Sequence, residues 1–316
     1  MRRRTDGLMV DLGVDLCGVR LPNPLVLASG IWGSCAQTMV RLARRGAGAV
    51  TSKSCSLTPR AGHPNPTVLR WEGGLINAVG LSNPGAKTQQ AILGEAKEDL
   101  RSLGVPLIAS VFGESERAFR QAVELVAEAG PDFVELNISC PNVESEFGEP
   151  FALDPLAAGR VTAAVRSVYD GRLLVKLSPN APNIVQVARA VTDEGADGLT
   201  AVNTLGPGMI IDVHAGRPVL SNRVGGISGP ALRPVAVRCV YELAASVDVP
   251  IIGVGGVLDG EDAVQMIMAG ATAVGVGSAL EIHGDGAFQR ILKGLEDFMV
   301  SEGYGKLDDF RGCAHD

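Results

Sequence analysis

Leu107-Ile108-Ala109-Ser110, then Glu116 through Ala129, then Phe133-Val134-Glu135-Leu136-Asn137, is the stretch from which the fold follows. Two short apolar runs without polar alternation flank a segment whose Ala118, Val123, Val126 and Ala127 fall near a 3.6-residue period, with Glu and Arg between them. Continuous apolar runs suit parallel strands buried on both faces, and the spaced pattern suits a helix with one apolar face. The same unit recurs along the chain. The remaining runs are Leu25–Ala28, Ala49–Ser52, Leu173–Leu177, Gly198–Val202, Pro250–Gly253 and Ala273–Gly277. The helical patterns are Ala36–Arg45, Lys87–Leu103, Pro155–Tyr169, Ile184–Glu194, Pro230–Ala245, Glu261–Ala269 and Ala287–Glu302. Eight strands, each followed by a helix, predict an α/β fold of the (β/α)8 TIM-barrel class. A doubly wound sheet would carry G-x-G-x-x-G after its first strand, and Ala28-Ser29-Gly30 lacks it.

Outward from the repeat, residues 8–24 alternate loosely through Val10, Leu12, Val14 and Leu16, which predicts a β-hairpin closing the bottom of the barrel. Long loops follow strand 2 (Cys55–Ala86), strand 4 (Cys140–Asp154) and strand 6 (Leu205–Gly229), all on the carboxyl face where barrels place their active sites. No linker interrupts residues 1–316, so a single barrel domain is expected. The 28 Lys+Arg against 35 Asp+Glu give a net charge of -7, the wrong sign for a nucleic-acid binder. No apolar stretch approaches a membrane span, and the basic start Met1-Arg2-Arg3-Arg4 leads into no signal-peptide core. Cys17, Cys35, Cys55, Cys140, Cys239 and Cys313 show no Cys-x-x-Cys spacing, and His63, His214, His283 and His315 show no ligand spacing. Reduced thiols, a cytoplasmic location and no metal site are the expectation. The 40 glycines in 316 residues are nearly twice the usual share of about 7% and call for close backbone approach at many points.

The strand ends carry the chemistry. Lys53 and Lys176 end two otherwise apolar strands and point to one mouth, an arrangement that favours an anionic or electron-rich ligand. Gly253-Val254-Gly255-Gly256 and Gly275-Val276-Gly277-Ser278 follow strands 7 and 8, the usual phosphate-binding position in such barrels. The plainer alternative is that these turns only tighten the rim. Cys140 stands just past strand 4 between Asn137 and Asn142, where a thiolate can take a proton or attack an electrophile while the amides orient a planar heterocycle. Acyl transfer would need an imidazole near that thiol, and His63 and His214 are the candidates for it.

Four stretches resemble the class 1 dihydroorotate dehydrogenases, flavin enzymes of pyrimidine synthesis: Asn77-Ala78-Val79-Gly80-Leu81-Ser82-Asn83-Pro84-Gly85, Glu135 to Asn142, Val175-Lys176-Leu177-Ser178-Pro179-Asn180, and Ser221 to Pro230. Gly208 through Arg238 is similar to the NAD-linked class 1B. The resemblance implies FMN held by Ala28, Ser29, Gly30, Lys53, Ser54, Asn137, Lys176, Val202 and Thr204, with its phosphate at Gly229, Gly255, Gly256, Gly277 and Ser278. Ser110 stands where the family commonly has an Asn touching FMN, and a hydroxyl replaces only part of an amide's capacity. Dihydroorotate would be bound by Lys53, Asn77, Ala78, Val79, Gly80, Leu81, Asn137, Asn142, Asn203 and Thr204. The same resemblance makes Cys140 the base, with hydride passing to flavin N5 and Lys176 stabilising the charge that develops. It implies an iron–sulfur/FAD partner subunit delivering electrons to NAD, around a homodimer core or in a heterotetramer. The loop Val143–Glu149 is more acidic than the family's usual lid. The alternatives are a dihydropyrimidine dehydrogenase-like flavin oxidoreductase, a non-redox phosphate-binding isomerase or lyase, and a silent scaffold subunit.

Overall fold

The computed structural model describes residues 10–138 and 151–315. Eight parallel strands close into a barrel in chain order: β1 (Leu25–Leu27), β2 (Ala49–Thr51), β3 (Leu107–Val111), β4 (Phe133–Asn137), β5 (Leu173–Leu177), β6 (Gly198–Ala201), β7 (Ile251–Val254) and β8 (Ala273–Val276). Val274 pairs with Leu25 to seal β8 against β1, so no edge strand is left open. Every residue of β3, β4 and β5 is buried, as expected for strands covered inside by each other and outside by helices. Among the described residues the α-helices are α1 (Ala36–Arg44), α2 (Ala86–Ser102), α3 (Glu116–Ala127), α4 (Pro155–Arg166), α5 (Ile184–Asp193), α6 (Arg233–Ala244), α7 (Gly260–Met268), α8 (Ser278–His283) and α9 (Ala287–Glu302).

Local chemistry sets these limits. In α3 the Ser115 hydroxyl accepts from Ala118 N at 3.1 Å, capping the first turn, and Phe119, Ala122, Val123 and Val126 are buried against the barrel. Asp154, Asn183 and Asp259 cap α4, α5 and α7 in the same way. Phe119 and Phe133 are among the largest fully buried side chains, and truncating either to Ala removes about 3–5 kcal/mol.

The hairpin expected at the bottom is present, pairing Val14–Leu16 with Val19–Leu21. Its turn residues Cys17 and Gly18 have φ of 50° and 78°, the twist that suits a two-residue hairpin turn. Arg172 Nε donates to Cys17 O at 2.8 Å and Cys17 Sγ to Asp197 O at 3.2 Å, which ties the hairpin to the chain entering β5 and β6.

Two regions read as loops contain strands. Val68–Trp71 and Gly74–Asn77, after β2, pair with Leu205–Gly208 and Gly225–Ser228, after β6, in a four-stranded antiparallel sheet. Gly206-Pro207-Gly208 and Gly225-Gly226 hide such strands locally, because they form only by pairing between distant segments. This sheet carries its own small core of Ile76, Ala78 and Leu220. The His214 turn is exposed between Ile211–Asp212 and Arg217–Pro218, which pair as a two-stranded hairpin. The short helix α8 was not anticipated. Among the described residues, no helix is long and apolar enough to cross a membrane.

Candidate functional site

A cavity of about 300 Å³ opens at the carboxyl ends of the strands. One side is built from backbone. Ala28, Ser29 and Gly30 leave β1, Gly255 and Gly256 leave β7, Gly277 and Ser278 leave β8, and Gly229 comes from the loop after β6, all lining the cavity. Gly256 has φ +73°, and a Cβ there would lie 2.6 Å from Gly229 O, so no larger residue fits without moving the turn. At Gly277 the nearest atom to an added Cβ is Ala28 Cβ at 3.7 Å, so the space beside it belongs to the cavity. Arg233, opening α6, forms an ion pair with Asp262, which is nearly buried and whose Oδ2 accepts from Leu258 N at 2.9 Å. That pair braces the turn after β7 against α6. An arc of close-packed backbone amides of this kind suits an anionic group such as a phosphate.

The opposite side is built from side chains. Lys176 is only 4% exposed, and its Nζ donates to Ser29 Oγ at 3.0 Å across the cavity floor. Asn137 Nδ2 donates to Ser54 Oγ at 3.2 Å, Asn203 Nδ2 to Asn137 Oδ1 at 3.3 Å, and Thr204 N to Asn203 Oδ1 at 2.8 Å. Lys53, Val202 and Thr204 complete this wall. Asn77, ending the second strand of the four-stranded sheet (the cap sheet), and Val79, Gly80 and Leu81 just after it line the cavity. Asn83 shapes that loop: its Oδ1 accepts from Ser56 N and Gly85 N, and its Nδ2 donates to Leu81 O at 2.8 Å.

Two expected contacts do not reach the cavity. Ser110 is fully buried one layer behind it, donating to Glu135 Oε1 at 3.0 Å and lying 2.9 Å from Ser54 Oγ. Ala78 turns into the cap-sheet core. Cys140 and Asn142, with the acidic stretch 143–149, lie outside the described residues. His63 Nδ1 lies 3.1 Å from Ala78 O and packs the loop, while His214 sits on its exposed hairpin; neither lines the cavity. Burial raises the Cys55 thiol to about 12, with Lys53 offsetting only part of it, and raises Cys17 to about 12 and Cys239 as well. Those three sulfurs stay protonated and unreactive at neutral pH.

The sequence reading missed Trp32 and Glu281. Trp32 has φ +52°, its Nε1 donates to Glu281 Oε1 at 2.9 Å, and the Arg41 guanidinium carbon lies 5.3 Å from the ring centroid. Both residues line the cavity, and among the described residues Glu281 is its one acidic lining residue. Trp32 lies only two residues beyond the strand-end triplet Ala28-Ser29-Gly30, so a wider window would have included it. Glu281 sits on α8, a helix too short to show a period. The apolar wall of Val68 and Leu75 comes from the cap sheet and was invisible for the same reason as the sheet itself.

A sequence profile of the family described as dihydroorotate dehydrogenase matches residues 11–299. The chain is 47% identical over 305 residues to the Methanothermobacter thermautotrophicus dihydroorotate dehydrogenase B (NAD(+)), catalytic subunit, covering 96% of this chain and 99% of that one. It is 44% identical to the protein of the same name from Methanosarcina mazei (95% and 94% covered) and 39% identical to that of Pyrococcus furiosus (96% and 99%). These names agree with the likeness to the NAD-linked class seen in Gly208 through Arg238. The matched residues run through all eight barrel strands and through both walls of the cavity, and the chain belongs to the dihydroorotate dehydrogenase family.

Proposed function

We propose that this chain oxidises (S)-dihydroorotate to orotate with FMN bound across the barrel mouth, and hands the electrons to a partner subunit. The observation that carries the reading is the convergence, in one cavity, of a glycine-built arc and a wall of amides and ammonium groups. The residues fit a flavin mononucleotide. The space beside Gly277 and the tight turn at Gly256 give a backbone cradle for a phosphate, and Lys176 brings a buried cation to the floor.

Gly229, Gly255, Gly256, Gly277 and Ser278 would hold the phosphate, and Ala28, Ser29, Gly30, Lys53, Ser54, Asn137, Lys176, Val202 and Thr204 the remainder. When bound, FMN supplies the two-electron acceptor for the hydride that leaves ring carbon 6 of the substrate. Lys176 sets a fixed positive charge where negative charge grows during the reaction, and its Ser29 hydrogen bond keeps the ammonium in place. The substrate is an anion with two ring amide functions. Asn77, Asn137, Asn142 and Asn203 offer paired donors and acceptors for those functions, Lys53 a cation for the carboxylate, and Val79, Gly80, Leu81 and Thr204 the enclosing surface. Cys140 Sγ takes the proton from ring carbon 5, so one proton and one hydride leave together. Its place in Asn137-Ile138-Ser139-Cys140-Pro141-Asn142, just past β4 and between two amides, supports that role.

The relatives are named catalytic subunits, which supports a partner. The iron–sulfur/FAD subunit and NAD as final acceptor follow from the likeness to that class. Anaerobic stopped-flow mixing of the flavin-loaded chain with dihydroorotate tests substrate and acceptor together. Rapid bleaching is expected, with reoxidation by NAD only when the partner is present. Bleaching by uracil-type dihydropyrimidines but not by dihydroorotate would overturn the substrate, and direct reoxidation by fumarate would overturn the acceptor.

A further inference from the structure

Behind the cavity wall lies a carboxylate that the chemistry above does not use. Glu135 points into the barrel from β4 and is 2% exposed. Its oxygens accept from two hydroxyls, Ser110 Oγ of β3 at 3.0 Å and Thr200 Oγ1 of β6 at 2.9 Å. Burying a carboxylate on hydroxyl partners is costly, and the rest of β4 up to Asn137 is apolar. From Glu135 a chain of hydrogen bonds runs to the cavity. Ser110 Oγ lies 2.9 Å from Ser54 Oγ, Ser54 Oγ accepts from Asn137 Nδ2, and Asn137 Oδ1 accepts from Asn203 Nδ2.

The chain has a direction. A carboxylate only accepts, so the single hydrogen of Ser110 is committed to Glu135. Ser110 must then accept from Ser54, whose hydrogen is thereby spent, and Ser54 can meet Asn137 only as an acceptor. This turns the NH2 end of Asn137 toward Ser54 and its oxygen toward Asn203, whose own oxygen takes Thr204 N. Reversing any link would set two donors or two acceptors face to face in a buried place.

We propose that Glu135 is a positioning residue: the acceptor-only end of a one-way hydrogen-bond chain that, through Ser110 and Ser54, fixes the Asn137 amide for the ligand in the cavity. The proposal rests on the reading of the cavity as the flavin and orotate site. It also gives Ser110 a task in this chain, as the link between Glu135 and Ser54.

Glu135→Gln keeps the shape and adds a donor that can face Ser110, whose hydrogen is then released toward Ser54; the Asn137 amide loses its hold from the Ser54 side and keeps that of Asn203. The test compares native protein, E135Q, S110A and the double variant, each loaded with FMN. Orotate affinity is read from the change it causes in the visible flavin spectrum. We expect E135Q to bind orotate about tenfold more weakly and S110A about threefold, with FMN still at native stoichiometry. Adding E135Q to S110A should cost less than about twofold more, because the proposed effect is relayed through Ser110. Orotate binding by E135Q that matches native overturns the proposal, and so does an E135Q loss undiminished in the S110A background. Should E135Q not fold, S110A decides alone: native orotate affinity in that variant overturns the proposal. A native chain that binds no FMN overturns the reading of the cavity instead, a result distinct from native binding of both ligands with E135Q unchanged.

Discussion

The two sides of the barrel mouth are made of different material. Where β7, β8 and β1 end, the wall is backbone, shaped by Gly255, Gly256, Gly277 and Gly30 and braced by the Arg233–Asp262 pair. Where β2, β4, β5 and β6 end, it is side chain: Lys53, Asn137, Lys176 and Asn203, with Asn137 bonded to Asn203 and to the Ser54 hydroxyl, and Lys176 to the Ser29 hydroxyl. Backbone amides cannot be substituted away, so the first wall suits the constant part of a bound cofactor. Side chains can be aimed and charged individually, so the second suits the part where electrons and protons move. Variants on the polar side should therefore keep the flavin and lose chemistry, and variants on the glycine side should lose the flavin and keep the chemistry of whatever fraction remains loaded.

The hardest blow to that division should come from Cys140→Ser, read by stopped-flow reduction with dihydroorotate at neutral pH. A loss of about 10²–10⁴ in rate with full FMN content is expected, the range a positioned base contributes. Unchanged reduction would remove Cys140 from the mechanism. Lys176→Met deletes the buried cation without deleting bulk and should cost about 10² in the same rate, with orotate binding less affected, because its charge acts as the reaction proceeds. If its main effect were loss of FMN, the two walls would not be separate in function.

On the other side, Gly256→Ala forces a Cβ to 2.6 Å from Gly229 O at a left-handed backbone. FMN affinity should fall about tenfold and the apoprotein should lose about 1–2 kcal/mol of stability, measured by flavin fluorescence titration and by urea unfolding. Reduction rate per bound flavin should stay near native, and a slowed rate per flavin would break the division from this side.

The smallest effect concerns neither wall. Cys17 and Cys55 have thiols raised by burial from 9.0 to about 12 in the folded protein. The folded chain therefore holds these protons after the unfolded chain has released them. Their contribution to stability is complete below about pH 9 and is lost as pH climbs toward 12. Thermal unfolding from pH 8 to pH 11 should show a falling midpoint, and the slope should lessen in Cys55→Ala. An identical slope in that variant would contradict the assignment to its buried thiol.

Strand ends were legible in the sequence because a parallel barrel needs continuous apolar runs, and a Lys or Asn closing such a run stands out. That is why Lys53, Asn137, Lys176 and Asn203, all of which line the cavity, stand out in the sequence. The cap sheet was not legible, since Gly225-Gly226 and Gly206-Pro207 become strands only by pairing with Leu75–Asn77 and with each other across the mouth. Trp32 and Glu281 escaped because one follows a turn and the other sits on a helix of six residues. The resemblance puts Ser110, at the end of β3, where an FMN contact is expected, and the structure puts it behind the cavity. Periodicity within one strand does not tell how deep in the barrel a residue lies, and Ser110 is a layer lower, on the Glu135 carboxylate.

The most direct measurement is the visible spectrum of the purified native chain during anaerobic titration, first with FMN and then with dihydroorotate. One FMN bound per chain, followed by bleaching of its absorbance by a stoichiometric amount of dihydroorotate, is the result expected of a flavin lodged between the two walls. A chain that stays colourless in excess FMN, or a bound flavin that dihydroorotate leaves oxidised, would contradict it.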